Sequence, residues 1–267
     1  MTNLELYHFP GSLCSQKVKL VLAEKDLEWK SHLINLLTFE NLQPGYVRMN
    51  PKAVVPTLVH DGKIICDSLA IIRYIDEAFP DRKLTPNNSK LLSEMNRWID
   101  LQDKFPMREL MYGNMKGIDG IVSRRSVRTK KDLIPKLMRE HPELYTQYLA
   151  KLKDVEQWNA TIEASAQVAK INERLNPILD QLEHRLTYGE WLCESTYSLA
   201  DSVWTAVLNR LEELKFDVLW SNGQREAIAS YIERLKARPS FKIAIQNDVT
   251  PVRQIILPGL RRIFLGF

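Results

Sequence analysis

The sequence has little of what marks disulfide scaffolds and metal-binding domains. It contains only three cysteines in 267 residues, and Cys14, Cys66 and Cys193 lie far apart along the chain. An odd and sparse set of cysteines excludes a disulfide framework and indicates a reducing compartment. Because the spacing gives no zinc-ligand pattern, the sequence predicts no metal site.

Signals for membranes and linkers are also scarce. No uninterrupted apolar run reaches the roughly 18 residues that a membrane-spanning helix needs, and the N-terminus lacks a basic-then-apolar targeting pattern. With only 10 glycines and 13 prolines, long low-complexity linkers are not expected. These absences predict a cytoplasmic protein.

Charge of one sign is not in large excess. The net charge of +4 is too small to indicate nucleic acid as a partner. The hydrophobic fraction of 45% and the charged fraction of 26% are ordinary for globular proteins. A length of 267 residues suits one large or two ordinary domains.

The first part of the chain alternates strand and helix patterns. Leu4 to His8 alternates apolar and polar residues and predicts a strand. Residues 15–25 repeat apolar side chains at helical spacing. Residues 29–34 predict a second strand, followed by a stretch of helix and loop.

A hairpin and a third helix complete this part. Val54 to His60 and Lys63 to Cys66 are β-branched runs joined by Asp61-Gly62, which is a strong hairpin signal. Ser68 is expected to cap a helix over residues 69–78. The resulting order, β-α-β-α-β-β-α, predicts a thioredoxin-like α/β domain.

Cys14 is the candidate nucleophile of this domain. It stands just before the first predicted helix, where unpaired N–H groups favour a thiolate, and Lys17 and Lys19 add positive charge. The run from Cys14 to Lys17 lacks the second cysteine of a redox pair. A disulfide partner for Cys14 is therefore expected to come from an outside thiol.

The segment from Asn50 to Leu58, followed by Asp67-Ser68, resembles the glutathione-binding signature of the glutathione S-transferase family. The resemblance implies that Pro56 is cis and that the backbone of Val55 binds the cysteinyl part of glutathione. The pair Asp67-Ser68 would hold the γ-glutamyl amine and carboxylate. The implied glutathione-binding set is Lys52, Val55, Pro56, Asp67 and Ser68.

Elementary chemistry fits this assignment. The N-terminus of a helix suits a carboxylate, and the carboxylate of Asp67 suits an ammonium group. The alternative is that Ser68 is only a helix cap and Pro56 an ordinary trans proline, since cis occurs at about 5–6% of X–Pro bonds. The combined spacing of the motifs favours glutathione.

Ser12 and Tyr7 are alternatives to Cys14. Pro10-Gly11-Ser12 resembles the turn of serine-type glutathione transferases, in which the hydroxyl group stabilises the glutathione thiolate. Tyr7 is a weaker candidate, because the strand alternation favours a packing role. A free cysteine is also often a small buried filler, so the sequence leaves the choice open.

The rest of the chain shows helical patterns. Residues 89–103 and 172–186 are amphipathic, and Ser198 to Asp201 forms a capping box at the start of an apolar helix. We expect a thioredoxin-like glutathione-binding domain over residues 1–82 and an all-helical domain over residues 89–267, together the glutathione transferase fold. Met107, Met111 and Tyr112 are candidates for lining an apolar acceptor site, although plain core is the alternative.

Two segments of the helical domain are unusual. Residues 118–165 form a basic insert, interpreted first as a solvated helix face or mobile loop and second as a basic contact surface. The tail, residues 249–267, mixes apolar and arginine residues without an acid after Asp248. It is expected to pack on the helical domain, with coverage of the acceptor pocket or contact with a membrane surface as alternatives.

The resemblance covers nearly the whole chain and points to one branch, which holds the tetrachlorohydroquinone dehalogenases and the ganglioside-induced differentiation-associated proteins. It implies a transferase in detoxification that uses glutathione as co-substrate on a hydrophobic electrophile, by conjugation, reductive dehalogenation or thiol transfer. A homodimer is implied too. The alternative is a weakly catalytic or non-catalytic, membrane-associated binding protein on the same fold.

Overall fold

A four-stranded mixed sheet forms the first part of the protein. The computed structural model describes residues 3–112, 117–163, 168–221 and 223–265. The sheet has the strand order β2-β1-β3-β4, with β1 and β2 parallel and the other neighbouring pairs antiparallel. This is the predicted thioredoxin-like arrangement. The strands are β1 (Leu4–His8), β2 (Lys30–Leu33), β3 (Thr57–His60) and β4 (Lys63–Cys66).

Two helices of this part begin differently from the sequence prediction. Helix α1 starts at Leu13 because Ser12 is its N-cap, so Cys14 lies inside the first turn and not before it. Asp67, and not Ser68, caps α3: its Oδ1 accepts two backbone N–H groups, while Ser68 is the first helical residue. The helices are α1 (Leu13–Glu24), α2 (Pro44–Met49) and α3 (Ser68–Ala78).

The predicted hairpin is confirmed. Asp61 and Gly62 have φ values of 48° and 84°, as a two-residue turn between twisted strands requires. The pairing aligns Thr57 with Cys66 and Leu58 with Ile65. The hairpin thereby brings the end of β4, and the start of α3, next to the beginning of β3.

The second part is helical, as predicted. The predicted helix over residues 89–103 matches α4, and the second predicted helix begins earlier than expected, at Val168. The elements are α4 (Ser89–Asp103), α5 (Met107–Tyr112), α6 (Gly117–Glu140), α7 (Tyr145–Glu163), α8 (Val168–Thr187), α9 (Leu199–Glu213), α10 (Glu226–Lys236), α11 (Pro239–Phe241) with a π-turn at Lys242–Gln246, and α12 (Leu257–Leu265) after a π-turn at Val252–Ile256.

One large apolar core joins the two parts. Helix α1 lies between α3 on one side and α9 on the other, and Val18 and Leu22 of α1 belong to the same buried cluster as Trp204 of α9. The Trp204 indole donates a hydrogen bond of 3.0 Å to the carbonyl of Trp98 on α4. Because this core is continuous, the start of α1 is fixed relative to the helices.

The basic insert folds as α6 and α7, while residues 164 and 165 lie outside the described part. The interpretation as a solvated face holds for the outer side only, because the inner side is buried. Val127 and Ile134 of α6 pack with Phe39 and Leu42, which follow β2. This second cluster fixes the insert against the sheet part, so the mobile-loop interpretation is wrong for residues 117–163.

The predicted capping box anchors α9. Asp201 accepts hydrogen bonds from the backbone and the hydroxyl of Ser198, at 2.8 and 2.7 Å. It also accepts from the backbone of Leu192 at 2.9 Å and from the Tyr231 hydroxyl at 2.7 Å. A fully buried carboxylate with four donors fixes the position at which α9 begins.

The described part of the tail packs on the protein, as expected; residues 266 and 267 lie outside it. Ile263 is buried in the second cluster. Gly259 lies so close to Leu37 that a Cβ atom there would be 2.3 Å from the Leu37 Cβ. The guanidinium of Arg125 lies over the ring of Phe264 at 4.7 Å. Among the described helices, none is long and apolar enough to cross a membrane.

Candidate active site

The loop before β3 presents an open stretch of backbone. The Val55–Pro56 peptide bond is cis, as the resemblance implied. The Tyr46 hydroxyl and the Asn50 amide both donate to the carbonyl of Val54, each at 2.8 Å. The backbone N–H and C=O of the next residue, Val55, have no hydrogen-bond partner within the described residues. An extended ligand could pair with them as a strand does.

The start of α3 lies beside this backbone. Asp67 uses Oδ1 for the helix cap, at 3.0 Å from Leu69 N and 3.2 Å from Ala70 N. Its second oxygen, Oδ2, accepts nothing from the described residues. The N–H and hydroxyl of Ser68 are likewise without a partner in that part of the chain. The pair thus offers one free carboxylate oxygen for an ammonium group and two donors for a carboxylate.

Two further groups border this site. Lys52 is exposed and its backbone N–H donates to the Asn50 side chain at 3.2 Å. The Cys66 thiol donates to the Met49 carbonyl at 3.5 Å. Burial raises the pKa of the Cys66 thiol, while Thr57 and Lys52 lower it. Cys66 is therefore a packed thiol, and no site role was predicted for it.

The turn before α1 carries both candidate nucleophiles. The Ser12 hydroxyl accepts the backbone N–H of Ser15 at 3.4 Å and so caps the helix. Cys14 is half-buried, and its thiol makes no hydrogen bond to a described residue. Ser12 is therefore partly engaged in the fold, whereas the Cys14 sulfur is free to meet a ligand.

Lys17 brings the nucleophile and the glutathione signature together. It is buried on α1, and its ammonium donates to the Gln102 side chain on α4. Burial lowers the pKa of Lys17, while Cys14, Asp103 and Asp67 oppose that shift. Lys17 is therefore within electrostatic range of both the predicted nucleophile and the predicted γ-glutamyl site.

Lys19 does not serve Cys14 as the sequence suggested. Its ammonium forms a buried ion pair with Asp248, so its charge is compensated within the fold. Burial lowers the pKa of Lys19, and Asp248 opposes the shift. Burial also lowers the pKa of the neighbouring His8 to about 4, with Lys19 acting in the same direction, so His8 is neutral at physiological pH.

Tyr7 packs as the strand alternation predicted. Its ring stacks on His32 of β2, with 4.3 Å between centroids and 6° between planes. His32 in turn forms a 2.6 Å contact with Glu5. Tyr7 thus lies on the face of β1 opposite the buried Leu4, Leu6 and His8. The remaining choice for the nucleophile is between Cys14 and Ser12.

Comparison with known proteins identifies the family at this point. Residues 6–83 match the glutathione S-transferase N-terminal domain, and residues 158–239 match the glutathione S-transferase C-terminal domain. The chain belongs to the glutathione S-transferase family. Membership confirms the predicted fold, the transferase class and glutathione as co-substrate.

Relatives align over most of the chain. Tetrachloro-p-hydroquinone reductive dehalogenase from Sphingobium chlorophenolicum is 30% identical, covering 91% of this chain and 96% of the relative. Ganglioside-induced differentiation-associated protein 1-like 1 from Homo sapiens is 27% identical, with coverages of 98% and 78%. The crystal structure of beta-etherase LigF from Sphingobium sp. strain SYK-6 has a TM-score of 0.72 at 24% identity, over 91% and 98% of the chains. The branch predicted from the sequence is confirmed.

Tyr112, a candidate for lining an apolar acceptor site, packs against the second apolar cluster. Its ring lies 4.9 Å from that of Trp158 on α7. Burial raises the pKa of Tyr112, and Cys14 acts in the same direction while Arg210 opposes it. Tyr112 therefore lies within electrostatic range of Cys14. Met107 is buried core and Met111 packs against it, which favours the plain-core alternative for both.

Lys130 contacts the same tryptophan ring, that of Trp158. It is buried on α6, with its ammonium 4.2 Å above the ring of Trp158 and 5.7 Å from that of Phe39. Burial and the nearby Lys151 lower the pKa of Lys130 to about 7, while Asp154 opposes the shift. An amine and aromatic faces thus lie side by side between the insert and the sheet part.

Sequence reasoning missed three residues that contact the chain on either side of Ser12 and Cys14. Gln102 receives Lys17, while Arg210 and Asp248 both bind the backbone of Gly11. These residues lie 85 to 237 positions from their partners, and no local motif marks them. Among the described residues, no group of three or more histidine, cysteine and acidic side chains could hold a metal ion.

Proposed function

We propose that this glutathione S-transferase uses the thiol of glutathione on a hydrophobic electrophile and that Cys14 is the protein thiol that takes part. The observation that carries this proposal is that the half-buried Cys14, in the first turn of α1, has a thiol without a partner among the described residues. Glutathione lying along Val55 with its γ-glutamyl end at Ser68 would extend its sulfur toward Cys14.

Two reactions are compatible with this arrangement. In conjugation, the glutathione thiolate forms a C–S bond with the electrophile, and the leaving group departs with its electron pair. In the second reaction, the Cys14 thiolate attacks the sulfur of a glutathione conjugate and forms a mixed disulfide. The released carbon takes up a proton, and a second glutathione thiolate then displaces Cys14 to give glutathione disulfide. The two glutathione molecules supply the two electrons.

The free thiol of Cys14 supports the second reaction. Ser12 already caps α1, whereas the Cys14 sulfur has no partner among the described residues. The relative from Sphingobium chlorophenolicum is named a reductive dehalogenase, which supports an aromatic halide as one acceptor class. The aromatic faces of Tyr112 and Trp158 suit such an acceptor.

The experiment compares Cys14→Ala and Ser12→Ala in conjugation and in reduction of a glutathione conjugate. We expect Cys14→Ala to lower the reduction rate by about 100-fold or more and conjugation much less. Ser12→Ala is expected to lower conjugation. The control is Cys193→Ala, because this cysteine is buried in the helical part. Full activity of both test variants in both assays contradicts the proposal.

The glutathione-binding set consists of Lys52, Val55, Pro56, Asp67 and Ser68. The unpaired backbone of Val55 and the free donors of Ser68 support it. We assign residues 1–82 to the glutathione-binding domain and residues 89–267 to the acceptor domain. A cytoplasmic homodimer that acts in detoxification completes the proposal, on family grounds.

A binding protein with membrane contact is the second candidate. Phe264 and Leu265 on α12 are 41% and 61% exposed and stand beside the exposed Arg261, a combination that suits an anionic membrane surface. Calorimetry with glutathione and sedimentation with anionic vesicles separate the candidates. Vesicle binding without glutathione binding supports the second candidate, and glutathione binding without vesicle binding supports the enzyme.

A further inference from the structure

The backbone N–H and the backbone C=O of Gly11 are both bound by side chains that lie 199 or more residues further along the chain. The Gly11 N–H donates to Asp248 Oδ2 at 3.0 Å. The Gly11 carbonyl accepts from the guanidinium of Arg210, on α9. Asp248 follows the π-turn that packs against α1. Two separate segments of the helical part therefore hold the two peptide units that flank the Cα atom of Gly11.

The rest of the turn is satisfied locally. The Ser12 N–H donates to the Phe9 carbonyl at 3.1 Å, and the Ser12 carbonyl accepts from Gln16 N at 2.8 Å. Gly11 itself has a φ of +70°, a conformation in which glycine is not confined by a side chain. Without Arg210 and Asp248, the N–H and C=O of Gly11 would lose their partners, and the turn before Ser12 would be held only by the Ser12 N–H bond to Phe9.

Asp248 also ties the turn to α1. Its Oδ1 pairs with Lys19 Nζ, and the two side chains are only 6% and 4% exposed. One carboxylate thus joins Gly11, before the helix, to Lys19, on the helix. Since Cys14 lies between these two residues, Asp248 braces the segment that carries the thiol on both sides.

Arg210 is also largely buried. Its side chain is 14% exposed, and Glu213 Oε2 lies 3.2 Å from its Nε. The helix that carries it begins at the capping network of Asp201. A charged donor in such a fixed position forms a stronger hydrogen bond to a carbonyl than a mobile surface arginine would.

We propose that Arg210 and Asp248 are positioning residues that hold Ser12 and Cys14 at the sulfur of glutathione. The inference rests on the function proposed above for Cys14 and glutathione. Neither residue touches the predicted glutathione-binding set, so their loss acts on the rate of the chemical step and not on glutathione affinity. Misplacing a reacting group by about 1 Å costs roughly 100-fold in rate.

The experiment compares Asp248→Ala and Arg210→Met with the conservative Asp248→Asn and Arg210→Lys. We expect both first variants to lower kcat about 10- to 100-fold with less than a threefold change in KM for glutathione. Lys keeps a charged donor for the Gly11 carbonyl and is expected to recover most of kcat, whereas Asn keeps one oxygen for either the Gly11 N–H or Lys19 and is expected to recover only part.

The matched control is Asp76→Ala. Asp76 also pairs with a buried lysine, Lys25, at 2.9 Å, and accepts the backbone N–H groups of Leu84 and Thr85. It stands at the other end of α1, away from Gly11. We expect this control to lower the melting temperature as Asp248→Ala does and to keep kcat. If the control loses kcat equally, the roles of Arg210 and Asp248 are merely structural and the proposal is wrong.

A second readout does not depend on turnover. The rate of Cys14 alkylation by iodoacetamide is measured against pH by peptide mass spectrometry in the same variants. We expect Asp248→Ala and Arg210→Met to shift the profile and Asp76→Ala to leave it in place; unchanged profiles in all three overturn the inference. A wild-type protein without activity on any acceptor contradicts the proposed function alone, because the alkylation profile still tests the positioning of Cys14.

Discussion

The two halves of the candidate site are built in different ways. The backbone of Val55 and the start of α3 at Ser68 are positioned by hydrogen bonds over short stretches, such as those of Asn50 to Val54 and of Asp67 to Leu69. The turn around Gly11 depends on Arg210 and Asp248, which lie 199 and 237 residues away. We refer to these halves as the cradle, residues 50–70, and the nucleophile turn, residues 10–14.

This difference predicts that glutathione affinity and the rate of the chemical step respond to changes in different parts of the molecule. Because the cradle is held by local contacts, we expect changes in the helical part to leave its shape, and the glutathione affinity proposed for it, largely unaltered. The nucleophile turn takes its position from α9 and the segment after α11. Changes in the helical part can therefore alter the reaction without altering the cradle.

The largest expected effect is on stability, from Asp201→Ala. This change leaves four buried donors without an acceptor, and we expect the free energy of unfolding to fall by about 4 kcal/mol. Because α9 also carries Arg210, the folded variant should lose kcat more than glutathione affinity. Urea denaturation with steady-state kinetics below the transition measures both. Ser198→Ala removes one donor and should cost about 1 kcal/mol; equal losses in the two variants contradict the network.

The second prediction concerns the other junction between the two parts, at Lys130. Its pKa in the folded state, about 7, is below that of an unfolded lysine, so the unfolded chain binds more protons between about pH 7 and 10.4. Stability conferred by the neutral amine therefore rises with pH across this window. Relative to Lys130→Met, the free energy of unfolding of the wild type should rise by about 1.4 kcal/mol per pH unit.

Chemical denaturation at pH values from 6 to 10 measures this difference, and other titrating groups cancel between the two proteins. Ile134→Val, one turn further along α6 and buried in the same cluster, removes packing without a titrating group. Its difference from the wild type should not vary with pH. A flat difference for Lys130→Met would show that the amine is solvated.

The third prediction sharpens the comparison from the cradle's side. Asp67→Asn keeps an oxygen that caps α3 but removes the charge proposed for the ammonium of glutathione. We expect KM for glutathione to rise about tenfold, the effect of roughly 1.4 kcal/mol, with kcat and melting temperature nearly unchanged. This is the reverse of the pattern expected for Asp248→Ala. A loss of kcat without a change in KM would place Asp67 with the nucleophile turn instead.

The smallest effect distinguishes two glycines. Gly11 and Gly62 have φ values of +70° and +84°, and a Cβ atom would meet nothing within 4 Å at either position. Alanine at each should cost about 1 kcal/mol of stability. Only Gly11→Ala should also lower kcat, because Gly62 turns the β3–β4 hairpin and touches no reacting group. Thermal denaturation and kinetics on both variants test this, and an equal loss of kcat contradicts the comparison.

The cradle could be predicted from the sequence because its parts are close together in the chain. The hairpin at Asp61-Gly62, the helix after Asp67 and the motif around Pro56 all span fewer than 20 residues. Even there, the sequence misjudged the cap: the carboxylate of Asp67, and not the Ser68 hydroxyl, accepts the first N–H groups. Local patterns locate such an end within a residue, and only side-chain geometry decides which oxygen is used.

The charged insert shows the opposite case. Its lysines and arginines suggested a solvated face or a mobile loop, yet α6 and α7 bury a full side against Phe39 and Leu42. Charged residues at buried positions hide the helical periodicity there; Lys130, for example, is buried between aromatic rings. Sequence reasoning that assumes charged residues are exposed cannot identify a buried lysine of this kind.

The sequence by itself determined the thioredoxin-like order of elements, the β3–β4 hairpin and the helical second part, because these depend on contacts and motifs within short stretches of chain. Only the tertiary structure decided how the nucleophile turn is held. Lys19 looked like a partner for Cys14 but is paired with Asp248, and Arg210 and Asp248 meet at Gly11 without any local signal. Long-range polar contacts leave no periodic trace in a sequence, so the folded chain alone reveals them.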